Sequence, residues 1–253
     1  MSEAHEVKAE QFSAGAAGRR RFWRRPEVIG VAVIFLLLGS LLVPAIREAR
    51  DAARRCSLTC RGKQLGLSMH AYADLHKRFP AGAIYGDGRR PLLSWRVEIL
   101  KHQGEEELVG RFQRDEPWDS ESNKPLLAEM PNFYSSPFTS FAKKTSLVVP
   151  RGEHTMFAGN RGIAIAEIKD GTSRTILLLE IDDARAVPWT APRELDFDPQ
   201  NPIDGLGTSR GSFMAGIADG AVRFIPRDVD REVFRSLIDP ADGGEVGLEI
   251  FGG

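Results

Sequence analysis

His70 and Asp74 stand four residues apart in a stretch, 45–77, that holds no proline and mostly helix-favouring residues. On a helix they fall one turn apart, near enough for a hydrogen bond. Such a pair can act as a general base when a nucleophile or substrate lies beside it; the simpler reading is a polar pair on a helix surface. Asp115, Glu116 and Asp119 surround Trp118, and carboxylates around a ring could hold a cation or a sugar. The competing reading, which we favour, is a turn anchored by a buried Trp, with the acids satisfying backbone donors. Trp189, in Val-Pro-Trp-Thr-Ala-Pro, reads as an extended loop pinned by its ring. Cys56 and Cys60 share a helix face, but helical geometry does not suit a bridge between them, and no second Cys or His pair completes a zinc pattern. They read as small apolar residues on a packed face. Gly211, Gly216 and Gly220 form no phosphate loop, because no Lys-Ser or Lys-Thr pair opens a helix after them. The sequence therefore assigns no catalytic, cofactor-binding or metal-binding residue, and a hydrolase using His70 or His154 ranks far below other readings.

The elements that must position these residues are legible in outline. Leu58, Leu65, Met69 and Tyr72 make a bulky stripe along the 45–77 helix, and Ala45, Ala49, Ala52, Cys56 and Cys60 a narrow one of small residues. Gly62 and Gly66 weaken its middle, and Arg78, Phe79 and Pro80 mark its end. Beyond Pro80 come short apolar runs punctuated by five Asp-Gly dipeptides, which tolerate positive φ in tight turns. The clearest hairpin is 212–225, with Phe213, Ala215 and Ile217 alternating before Asp219-Gly220 and Val222 and Phe224 after it. A second hairpin joins 163–168 to 175–179. Residues 92–100 fit helix or strand, and 228–238 fit a short late helix with Val229, Val233, Phe234, Leu237 and Ile238 inward.

Upstream, residues 28–43 form an uncharged apolar run that follows Arg19, Arg20, Arg21, Arg24 and Arg25. Extended to Ile46 it would make about 28 Å of helix, close to a bilayer core. A signal peptide would have a shorter core and a small-residue cut site, and a buried core helix a polar face; a single-pass anchor is preferred over both. The arginine excess on the N-terminal side places the N-terminus in the cytoplasm. The 253 residues carry a net charge of -1, with 27% charged and 42% hydrophobic residues, an ordinary globular balance with no basic excess for nucleic acid.

Seven blocks, in order, carry a family resemblance: PAIREARDAARR (44–55), KQLGLSMHAYADLHKRFPAG (63–82), SWRVEIL (94–100), DEPWDSESNKPLL (115–127), IKDGTSRTILLLE (168–180), VPWTAPREL (187–195) and FMAGIADGAVRFI (213–225). The chain resembles the planctomycete family of prepilin-like proteins with a C-terminal domain of unknown function (domain of unknown function 1559). That resemblance implies a pseudopilin-like plan, with an acid in the apolar helix and a proline seventeen residues later; Glu27 and Pro44 have that spacing. It also implies cysteines where Leu58 and Ser135 stand, a histidine where Ser209 stands, and a glycine for prepilin processing where Phe22 stands. This chain departs at all four.

The fold expected is α+β: a long N-terminal transmembrane helix continuing into a pilin-like globular domain with an antiparallel β-sheet. The expected layout is a disordered basic cytoplasmic N-terminus (1–26), a transmembrane helix (27–46), an extramembrane helix (47–78) and an extracytoplasmic globular domain (79–253). The function expected is a non-enzymatic, membrane-anchored, pseudopilin-like envelope protein with a structural or protein-interaction role. Its partners would be the lipid bilayer and itself or other pilin-like subunits, with no nucleic acid and no cofactor. Glu27 and Pro44 are its pilin-like positions. The alternative is an extracytoplasmic solute- or glycan-binding protein whose contact residues are Trp118 and Trp189.

Overall fold

A computed structural model describes residues 26–139, 141–207 and 211–244, and of residues 26–29, 32 and 41 the backbone only. The arginine cluster at 19–25, Phe22, Ser209 and the Glu27 side chain lie outside what is described. The chain divides into two compact units, Met1–Ala52 and Ala53–Gly253.

Helix α1 (Pro26–His76) begins in the first unit and is helical through Pro44. Among the described residues no helix is long and apolar enough to cross a membrane. This overturns the expected transmembrane helix over 27–46 and the single-pass localisation built on it.

The second unit is α+β. In chain order it contains β1 (Ala83–Tyr85), β2 (Pro91–Ser94), α2 (Trp95–Ile99), α3 (Glu106–Arg111), β3 (Lys144–Thr145), β4 (Leu147–Val148), β5 (Pro150–Arg151), β6 (Ile176–Glu180), β7 (Val187–Pro188), β8 (Leu195–Asp196), β9 (Ser212–Ile217), β10 (Val222–Pro226) and α4 (Arg231–Ile238). The main sheet is antiparallel, in the order β10-β9-β6-β4. Smaller pairs are β1 with β2 and β3 with β7, both antiparallel, and β5 with β8, parallel. The antiparallel sheet expected from the sequence is thus present.

Both faces of the main sheet are covered, which is why β6, Ile-Leu-Leu-Leu-Glu, is buried at all five positions. On one face Leu58, Leu65 and Met69 of α1 pack with Met214 and Ala218. On the other, Phe234, Leu237 and Ile238 of α4 pack with Phe213, Ala215, Ile217 and Ile225. The period-2 alternation of β9 divides its side chains between the two cores. Asp230 caps α4 by accepting from Glu232 N and Val233 N at 2.8 and 3.1 Å.

Gly62 and Gly66 do more than weaken α1. A Cβ on Gly62 would stand 3.0 Å from Val222 Cγ2 and 3.1 Å from Met214 Sδ, and one on Gly66 3.5 Å from Gly220 Cα. The glycines let the helix approach the β9–β10 hairpin, whose turn has Gly220 at φ 87°.

Four local expectations are resolved or corrected. Residues 92–100 are both things: β2 ends at Ser94, whose Oγ accepts from Arg96 N at 3.3 Å and starts α2. The proposed hairpin 163–168/175–179 is not formed, since Ile165–Glu167 is a single 3-10 turn and β6 pairs with β4 and β9. Glu167 reaches back to Ala164 N at 2.7 Å and so closes that turn. Cys56 and Cys60 are exposed free thiols, not packed residues, because the buried stripe of α1 runs through Leu58, Leu65 and Met69. Asp170 is not free for a hairpin turn either, for its carboxylate accepts from Asp242 N and Gly243 N.

The end of α1 is fixed by a crossing loop. Phe79 N donates to Ile163 O at 2.9 Å and Arg78 Nη1 to Gly162 O at 2.9 Å. A Cβ on Gly162 would stand 1.6 Å from Phe79 O, a collision with backbone that no rotamer relieves. Gly162→Ala is expected to lower the unfolding free energy by about 3 kcal/mol, at the upper end of overpacking costs. A urea melt checks this, and a wild-type midpoint would show that the loop can move aside.

Candidate functional site

The deepest polar arrangement in the second unit is built around Arg96 in α2. Its side chain and that of Glu194 are both fully buried. Arg96 Nη1 and Nη2 donate to Glu194 Oε1 and Oε2 at 2.9 and 3.1 Å, a bidentate pair. The remaining donors are also met: Nε and Nη2 reach Leu147 O at 3.2 and 2.5 Å, and Nη1 reaches Ser94 Oγ at 2.7 Å. Glu194 Oε2 accepts further from Val149 N at 3.0 Å, and Tyr134 OH donates to Arg96 O at 2.5 Å. Burial raises the Glu194 carboxyl above its ordinary range, and the Arg96 charge opposes that shift. Every donor and acceptor is matched within the chain, so this is a clamp joining α2, β4 and the loop before β8, with no group left to act on a substrate.

Trp189 belongs to the same core. Its ring is fully buried, stacks on Tyr134 at 5.6 Å and meets Phe112 edge-on at 5.9 Å, and Nε1 donates to Leu127 O at 3.1 Å. The expectation of a loop pinned by its ring is met, and the ring offers no face to a solute. Trp118 is half-buried; its N–H donates to Leu92 O at 2.8 Å and the Arg193 guanidinium lies 5.9 Å from its ring centroid. What organises the acidic loop is Asn123, fully buried, whose side chain accepts from Gln113 N and donates to the Gln113, Glu116 and Pro117 carbonyls. Trp118 and Trp189 therefore do not form one aromatic platform.

The histidines are dispersed. His70 turns its ring edge to Phe79 at 5.2 Å, with Nε2 buried and unpartnered, and no hydrogen bond or ion pair joins it to Asp74 among the described residues. His154 is 71% exposed, 3.4 Å from Asp239. Among the described residues no group of three or more His, Cys, Asp or Glu is placed to hold a metal ion. Pro44 is exposed on α1.

One buried acid was not singled out by the sequence. Glu180 ends β6, 3% exposed. Its Oε1 accepts from Ser136 Oγ at 3.2 Å, and its Oε2 has no partner. Desolvation raises its carboxyl to about 7, with the Asp182 carboxylate adding to the shift and the Ser136 and Met214 donors opposing it. The available signal was a carboxylate closing an otherwise apolar central strand. The Arg96–Glu194 pair had no such signal, its members being 98 positions apart.

No curated protein and no solved structure matches the chain. Residues 47–140 match the family described as a protein of unknown function, DUF1559. That span includes the Arg96 half of the clamp, the Asn123 loop and Tyr134, and ends before Glu180 and Glu194. Over that span, 94 of the 253 residues, the chain is similar to the DUF1559 family.

Proposed function

We propose that the chain is a non-enzymatic interaction protein whose N-terminal helix packs against the same helix of other copies, in the manner of a pseudopilin, while the second unit is carried as a head. The observation that supports this is the spacing of exposed residues on α1 within the first unit. Val31, Phe35, Leu38, Leu42, Ala45, Ala49 and Ala52 follow one another at alternating steps of four and three. All seven are exposed, from 53% at Val31 to 70% at Phe35 among the large ones. A 3.5-residue period presents a seam to a parallel or antiparallel helix of the same kind. Small side chains over 45–52 permit closer approach than the bulky half. Val33, Ile34, Leu36, Leu37 and Val43 are exposed as well, so more than one side of this helix calls for apolar cover. The non-enzymatic part of the reading rests on the dispersed histidines and the self-satisfied clamp.

Site-directed crosslinking tests the seam. With Cys56 and Cys60 changed to Ser, Ala45→Cys and Ala49→Cys are expected to form disulfide dimers on mild oxidation, and Arg47→Cys, off the seam, is not. Equal crosslinking at all three positions, or none at any, would remove the reading. So would a full chain that stays monomeric and binds phosphatidylcholine vesicles instead.

A further inference from the structure

We propose that the pocket beside Glu180 binds an organic cation, a guanidinium or ammonium group, through the Glu180 carboxylate. The site lies in the second unit and does not depend on the helix assembly proposed above. The cavity has a volume of about 210 Å³ and is lined by Phe138, Thr139, Ser146, Glu180, Asp182 and Asp183, among others. Among the described residues its lining contains three acids and no Lys, Arg or His, and one of the three, Asp183, has a partner of its own. Gly207 closes one side. Its N–H donates to Glu180 O at 2.8 Å, and a Cβ there would stand 3.0 Å from Glu180 Cγ and 2.8 Å from Ile181 O. Only glycine allows the chain to lie this close over the acid.

The case for a ligand is the unequal treatment of the two Glu180 oxygens. Oε1 is met by Ser136, whereas no donor meets Oε2 in hydrogen-bond geometry, although the Met214 N–H lies near enough to favour the ionised carboxyl; a buried acceptor left unmet is a standing cost that an incoming N–H can remove. The neighbouring hydroxyls do not fill the gap: Thr139 Oγ1 donates to Ser146 Oγ at 3.2 Å, and Ser136 Oγ accepts from Phe138 N at 3.1 Å. A single metal ion does not fit, because the acids are not grouped as a metal cluster among the described residues. A planar guanidinium or an ammonium on a short stem fits better, with its charge at Glu180 and its stem along Phe138. The volume is smaller than that of pockets for drug-sized ligands, which span roughly 300–1,000 Å³, and suits one cationic group.

Among the described residues the titratable groups facing Glu180 are Asp182 and Asp183, and Ser146 and the 136–139 segment contribute only hydroxyls. With the free carboxyl held up at about 7, the cation must displace a proton in acid. Binding therefore strengthens as pH rises to neutrality and levels off above it.

Calorimetric titration of the full chain with agmatine and with butylammonium tests this at pH 6 and pH 8. Agmatine is expected to bind about tenfold more tightly at pH 8, by proton linkage at one group. Glu180→Gln is expected to abolish binding at both pH values while keeping a cooperative thermal transition. Asp204→Asn, outside this pocket, should bind as the wild type does. A capped Gly-Arg-Gly peptide separates the two sources of such a cation: binding tighter than agmatine points to a polypeptide side chain, and weaker binding to a free small amine. No binding by either small probe up to about 10 mM, a value weaker than any useful affinity, would overturn the proposal. Unchanged affinity in Glu180→Gln, or equal affinity at both pH values, would do so too.

Discussion

Arg96→Met is expected to lower the unfolding free energy by about 4 kcal/mol, the cost of stranding one member of a buried ion pair. Methionine fills much of the arginine's volume, so the loss is chiefly electrostatic. Glu194 would keep the Val149 N–H but lose both guanidinium contacts and the charge that opposes its desolvation. Leu147 O and Ser94 Oγ would lose donors as well. The sign of the pH dependence follows. Glu194 is already raised by burial, and removing Arg96 raises it further, so the native state holds its proton where the unfolded chain has released it. The defect should shrink as the solution is acidified toward the range in which both states are protonated, and be largest at neutral pH. Arg96→Met combined with Glu194→Gln should recover most of the loss, because a buried pair contributes little over a neutral replacement. Urea melts of the two single variants and the double variant form the cycle. Additive losses would mean that Arg96 and Glu194 act independently, and the clamp would then be misread.

The second large effect is at Glu180. Its carboxyl is raised from 4.5 to about 7, so folding favours the protonated form. The stability associated with this group is complete below the unfolded value and is lost as pH rises through about 7. A shift of that size corresponds to about 3 kcal/mol between the two ends of the window, to order of magnitude. Glu180→Gln replaces the acid by a neutral isostere and removes the dependence. The difference in stability between variant and wild type should move in the variant's favour by about 3 kcal/mol from pH 4.5 to pH 8. Thermal or urea melts at intervals across that range give the curve. Parallel curves for the two proteins would show that Glu180 titrates as an exposed acid does and would weaken the pocket as described.

Local rules carried the reading where the deciding contacts are local. The Asp219-Gly220 turn and the alternation on either side of it led directly to β9 and β10, because positive φ at Gly220 and a period of two are properties of a few adjacent residues. The late helix followed from the spacing of Val229, Val233, Phe234, Leu237 and Ile238, although it begins at Arg231 rather than at 228. Reading failed where a short apolar run had to be assigned a partner. Residues 163–168 look like the first arm of a hairpin, yet Glu167 folds back on Ala164, and β6 finds its neighbours in β4 and β9 instead. A strand buried on both faces carries no alternation to say which strands will flank it.

The residue types at 45–80 and 212–238 determined a helix, a hairpin and a late helix, and with them an α+β unit. Their order also carried the family resemblance that the match over 47–140 supports. Periodicity and turn chemistry act over one to three turns of chain, so they are written in sequence. The tertiary structure alone decided that Trp189 is sealed in the core, that Cys56 and Cys60 face outward, and that Arg96 meets Glu194. It also decided that Glu180 keeps one oxygen unmatched beside a cavity. Those outcomes depend on which distant surfaces come together and what water they exclude. Desolvation and charge pairing have no local period by which a sequence could announce them.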